Sequence, residues 1–140
     1  MIRLENVTRC YGEFTAVDSV SFQIERGEIV GLLGHNGAGK TTVMKMLTGF
    51  LEPSAGLVSV DGLDIEKHRL EAQAKIGYLP ENSPLYPDMS VIQYLEYVCE
   101  LRSIAPEERR ARIQKVIEQT ALADKALSSI FTLSPGRIFM

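Results

Sequence analysis

Residues 31–42 read GLLGHNGAGKTT. Within them, Gly34-His35-Asn36-Gly37-Ala38-Gly39-Lys40-Thr41 fits the pattern G-x-x-x-x-G-K-[ST]. With glycine at about 7% of residues in an average protein, such a pattern arises by chance in fewer than roughly 1 in 100 chains of this length. The chemistry follows from the residue types. Glycines let successive backbone N–H groups turn inward and approach oxygen atoms closely. A helix starting at Lys40 adds the partial positive charge of its N-terminus. The Lys40 ammonium is a point charge for β- and γ-phosphates, and the Thr41 hydroxyl offers one coordination site to Mg²⁺. Gly34, His35, Asn36, Gly37, Ala38, Gly39, Lys40, Thr41 and Thr42 form the candidate phosphate-binding segment. His35 stands at a variable position of the pattern and takes no proton-transfer role. A dinucleotide pattern starting at Gly37 fails, because Thr42 occupies the place of its last glycine.

Such a loop must be held between a strand and a helix. IVGLL at 29–33 is apolar at every position but the glycine, which predicts a strand buried on both faces of a parallel sheet. A helix follows from Lys40 to Gly49, with Val43, Met46, Leu47 and Phe50 on one stripe. Before the loop, Ile2, Leu4 and Val7 mark a first strand, and Val20, Phe22 and Ile24 alternate as a half-exposed strand. After it come a strand at LVSVDG ending in an Asp-Gly turn, a charged helix from Lys67 to Lys75 and a strand at 76–79, IGYL. The pattern then turns helical. Ser90 caps a helix carrying Val91, Leu95, Val98 and Leu101. Pro106 opens another, with Glu107 and Glu108 in its first turn and a stripe of Ile113, Val116, Ile117 and Ala121. Arg109, Arg110, Arg112 and Lys115 read as the solvated face of that helix. The division expected is an α/β part over 1–87 and a helical part over 88–140.

The bulk composition narrows the function classes. A net charge of −3 and a pI near 5.4 give no electrostatic case for nucleic acid or an anionic membrane surface. The two cysteines, Cys10 and Cys99, lack metal-ligand spacing and read as reduced thiols. No apolar run approaches the roughly 20 residues of a membrane span, and the first residues carry no signal-peptide core. The expectation is a cytoplasmic chain that reaches a membrane only through a partner.

Around the phosphate loop the chain resembles the ATP-binding subunit of ABC transporters along nearly its whole length. RCYGEFTAVDSVSFQIERGE looks like that family's opening hairpin, and LTGFLEPSAGLVSVDG is similar to its post-loop segment. IGYLPENSPLYPDMSVIQYLEY looks most like bacterial exporters of the ABC-2 and gliding-motility type. The resemblance implies an α/β P-loop NTPase core, here incomplete, with N-terminal antiparallel strands and a helical subdomain that docks on a transmembrane permease subunit. It implies ATP and Mg²⁺ as ligands, a second ATP-binding subunit as partner, no nucleic acid, and a place on the cytoplasmic face of the inner membrane. Tyr11 matches the aromatic that stacks on adenine; read from the residues alone, it is equally a strand aromatic packing locally.

Two departures stand out. Glu81 occupies the position of a glutamine that senses Mg²⁺ and the attacking water; carboxylate oxygen suits Mg²⁺, and the plainer reading is a solvated loop carboxylate. TLSPGRIFM at 132–140 begins like the family's L-S-x-G signature through Leu133, Ser134 and Gly136, with Pro135 departing from it; a tail without that role is the competing reading. No apolar run ending in Asp-Glu follows, and the two histidines, His35 and His68, stand too early for the family's switch histidine. Strands of the family that would flank IVGLL are also missing, which leaves that segment with bare edges. The expectation is a truncated ATP-binding subunit that binds ATP and does not hydrolyse it alone. A non-enzymatic fragment pairing with an intact subunit is the alternative. A GTPase would want an N-K-x-D stretch, absent here, and a kinase an acceptor site with an Arg-rich lid.

Overall fold

The computed structural model describes residues 1–80 and 85–133. They belong to two compact units, Met1–Leu79 and Pro80–Met140.

The first unit is built on a four-stranded antiparallel sheet in the order β2-β1-β3-β4. Strands β1 (Ile2–Tyr11) and β2 (Phe14–Ile24) form a hairpin closed by the pair Tyr11↔Phe14. Gly12, at φ 60°, supplies the left-handed backbone its two-residue turn requires. Asn6 and Ser19 also take positive φ where the register slips. Their freed N–H groups donate to the Ser21 and Thr8 hydroxyls at 2.8 and 2.9 Å, so the irregularity leaves neither donor unpaired. Strand β3 (Ala55–Val60) pairs with β1 and turns into the short β4 (Leu63–Asp64). Asp61 and Gly62, at φ 50° and 79°, make the Asp-Gly hairpin turn legible in the sequence. The Asp61 carboxylate accepts from the Met1 ammonium at 2.8 Å and from Arg26 at 2.9 Å.

Helix α1 (Lys40–Leu47) buries Val43, Met46 and Leu47. They join Leu4, Val7, Val17, Val58, Val60, Ile65 and Ala72 in one apolar cluster. Phe50, expected on the same stripe, is 71% exposed beside Tyr78, at 6.0 Å between ring centroids. The chain leaves the helix at Gly49, φ 71°, which carries Phe50 off the helical face. The charged helix is shorter than its sequence limits: α2 covers Arg69–Ala74.

Two expected strands do not form. Residues 29–33 and 76–79 take no regular structure. Ile29 and Leu33 are 102% and 92% exposed, where burial on both faces was expected. The reason lies in the backbone: a strand is stable only when a neighbour completes its ladder. Among the described residues no strand lies alongside either segment.

The second unit is helical. Helix α3 (Val91–Leu101) starts at a capping box: the Ser90 hydroxyl accepts from the Gln93 N–H, and the Gln93 side chain accepts from the Ser90 N–H. Helix α4 (Pro106–Gln119) has proline in its first turn and Glu107 and Glu108 beside it. Arg109 ties the connection between the helices by donating to the Ile104 carbonyl and pairing with Glu100 at 3.0 Å. The core is Val91, Cys99, Ile113, Ile117, Leu122 and Ile130. Cys99 and Leu122, the residues next to Val98 and Ala121 of the expected stripes, are buried; Leu101 is 65% exposed and Val116 40%. Cys99 lies one residue along α3 from Val98, whereas α4 ends at Gln119 and Ala121, at φ 51°, turns the chain so that Leu122 meets the core.

Candidate phosphate-binding site

The segment from Gly34 to Thr42 lies at the head of α1. Gly39 is the helix N-cap, in the left-handed region at φ 80°, and no side chain caps the first turn. The leading N–H groups of an α-helix have no partner within it. Here they belong to Lys40, Thr41 and Thr42, and they carry the positive end of the helix dipole. Two glycines have separate jobs. At Gly39 a side chain would put its Cβ 2.4 Å from the Ala16 carbonyl oxygen and 3.0 Å from Val17. That contact seats the loop on β2. Gly37, at φ 86°, faces open space and serves the turn alone.

Lys40 folds back over the loop. Its ammonium donates to the Gly34 and His35 carbonyls, each at 2.7 Å. The charge is thereby held above the loop instead of extending along the helix. The Ala38 N–H donates to the His35 carbonyl at 3.1 Å and closes the turn through Asn36 and Gly37. Residues 34–38 and Thr41 are exposed, and Gly39, Lys40 and Thr42 are half-buried.

Tyr11 reaches the same neighbourhood through β2. It pairs with Phe14, two residues from the Ala16 carbonyl on which Gly39 rests. Tyr11 is 47% exposed. The Arg9 guanidinium lies over it, 4.8 Å from the ring centroid. The sequence reading singled out Tyr11 and passed over Arg9, although period-two spacing puts both on one face of β1. Glu81, Ser134 and Gly136 lie outside the described residues. Among the described residues no three His, Cys, Asp or Glu side chains gather as a metal cage. The donor on hand is the Thr41 hydroxyl, a hard oxygen ligand of the kind that suits Mg²⁺ carrying most of its shell as phosphate oxygen and water.

No described helix is long and apolar enough to cross a membrane. The chain is 38% identical over 135 residues to an uncharacterized ABC transporter ATP-binding protein of Methanocaldococcus jannaschii, covering 96% of this chain and 47% of that protein. It is 35% identical over 136 residues to the linearmycin resistance ATP-binding protein of Bacillus subtilis, covering 97% of this chain and 44% of that one. The chain thus spans about half the length of these curated relatives. Among solved structures it superposes on an ATP-binding subunit of an ABC transporter with a TM-score of 0.83 at 25% identity, over 97% of this chain and 57% of that one. It also superposes on a dimeric ATP-binding cassette in a post-hydrolysis state with ADP and Pi, with a TM-score of 0.79 at 26% identity, over 99% and 65% of the respective chains. The fold is that of part of an ABC ATPase domain. Residues 17–138, from the strand beneath the loop through both helices of the second unit, match the model of the ABC transporter family, and the chain belongs to that family.

Proposed function

We propose that the chain is the nucleotide-binding portion of an ABC transporter ATP-binding subunit and that it binds MgATP. The observation that carries this reading is the uncapped first turn of α1, with Lys40 held across the loop before it. The triphosphate lies against the N–H groups of Gly37 to Thr42. Lys40 exchanges its two carbonyl partners for phosphate oxygens, a charge-assisted contact stronger than the ones it leaves. Tyr11 offers its open face to adenine. Thr41 supplies one oxygen to Mg²⁺, and Glu81 supplies another.

The assembly follows from the same family. A second ATP-binding subunit completes the site with its signature segment, which in this chain is Ser134 and Gly136. Residues 88–140 carry that segment and dock on a transmembrane permease subunit, so the working place is the cytoplasmic face of the inner membrane. The stretch 76–97 favours an exporter of the ABC-2 and gliding-motility type. Residues 1–87 then form the nucleotide-binding part. Turnover in this family needs a metal-holding aspartate and a water-polarising glutamate after an apolar run. The 140 residues contain no such run.

Fluorescent ATP titrated into the wild type and into Lys40→Ala tests the reading. We expect wild-type binding to need Mg²⁺ and the variant to bind at least about tenfold more weakly, the effect of losing a hydrogen bond to a charged group. Equal affinities contradict it. Glu81→Gln should change affinity in Mg²⁺ and leave it unchanged in EDTA.

A further inference from the structure

The end of β1 is fastened by the segment that follows α1, through three hydrogen bonds. The Ser54 N–H donates to the Thr8 carbonyl at 2.7 Å, the Cys10 N–H donates to the Ser54 hydroxyl at 3.1 Å, and Arg9 Nη1 donates to the Glu52 carbonyl at 2.9 Å. The Glu52 side chain is itself paired with Arg69 of α2. Arg9 is therefore gripped at its tip, and its guanidinium is laid on the Tyr11 ring. Its Nε is buried with no hydrogen-bond partner among the described residues. An apolar side chain there would avoid the desolvation of that N–H, so packing alone does not account for an arginine.

We propose that Arg9 is a positioning residue for nucleotide binding: it covers one face of Tyr11 and fixes the ring so that the opposite face stacks on the purine base. The inference rests on the nucleotide reading above and deepens it. An exposed tyrosine samples rotamers, and ordering it on binding opposes affinity. A guanidinium stacked on one face, and held by the Glu52 carbonyl, performs that ordering before the ligand arrives. The base then meets a ring already covered on one face by the guanidinium.

The test compares ATP with inorganic tripolyphosphate, both with Mg²⁺, on the full 140-residue chain. The variants are Arg9→Gln, Arg9→Lys, Tyr11→Ala and the double variant Arg9→Gln/Tyr11→Ala. Arg9→Gln removes the cation together with the Nη1 donor to Glu52; it should weaken ATP about two- to fivefold, the range of an exposed cation–π contact. Tripolyphosphate affinity should not move. Arg9→Lys should stay near wild type, and Arg9→Gln should have no further effect once Tyr11 is alanine. An equal loss for both ligands, or a full loss in the Tyr11→Ala background, overturns the inference while leaving the phosphate site intact. If the wild type binds neither ligand, the nucleotide reading fails and the inference fails with it.

Discussion

Two apolar stretches of the first unit have opposite fates. Strand β3 runs between β1 and β4, bonded on both sides, and its Val58 and Val60 are 1% and 5% exposed. Residues 29–33 are at least as apolar, yet Ile29 and Leu33 stand fully or almost fully in solvent. Local sequence favours a strand equally in both places. The difference is the ladder: β3 has neighbours to take its N–H and C=O groups, whereas among the described residues 29–33 has none. A segment left in that condition is prone to association. The phosphate loop, which follows this unladdered segment, takes its position from elsewhere. Gly39 on β2 and the buried stripe of α1 hold it from the far side.

The contrast can be broken by substitution. Leu4, 1% exposed and paired with Val58, should lose about 2–5 kcal/mol on change to alanine, read by urea unfolding. Leu33→Ala should stay within about 0.5 kcal/mol. Comparable losses at the two positions would mean that 29–33 is folded in solution. The loop's seating gives a smaller, sharper contrast. Gly39→Ala meets both a left-handed backbone and the Ala16 carbonyl, so it should destabilise by more than the roughly 1–2 kcal/mol of an alanine at positive φ and should weaken ATP as well. Gly37→Ala should show the backbone strain alone. Equal effects would remove β2 as the seat of the loop.

The smallest expected effect is at the β3–β4 turn. The hydrogen bond from the Met1 ammonium, then that from Arg26, holds the Asp61 carboxyl below its ordinary value of 3.8. A carboxylate depressed in the folded state stabilises above its unfolded value and loses that contribution as pH falls through the folded one. The urea midpoint should therefore fall more steeply below pH 3.8 for the wild type than for Asp61→Asn, with the curves parallel above pH 5. Parallel curves throughout would show that Asp61 titrates as in the unfolded chain.

How much was legible in the sequence depended on whether a feature is local. The Asp61-Gly62 turn, the Ser90 cap and the loop-to-helix junction at Lys40 are decided within a few residues, and each stands where the sequence put it. Strands at 29–33 and 76–79 depend on neighbours far along a chain, and apolar composition cannot supply those. The stripe of α3 slipped by one position to Cys99, because which of two adjacent residues faces the core is settled by what packs on it, and α4 ended before Ala121, whose positive φ turns Leu122 inward. At the site, the loop was plain from spacing. Arg9 was missed: a cation two residues before an aromatic looks like ordinary strand alternation until the Glu52 carbonyl is seen to hold it.

Amide hydrogen exchange with and without saturating MgATP tests the central claim most directly, that a loop seated on β2 and α1 binds the triphosphate while the segment before it has no ladder. The account predicts added protection across residues 35–42 and at the Tyr11 end of β1 when nucleotide is present. It predicts fast exchange at 29–33 in the free chain, while the paired residues of β1 and β3 exchange slowly. Unchanged exchange at 35–42 under saturating MgATP would contradict the proposed site, and slow exchange at 29–33 in the free chain would contradict the architecture that holds it.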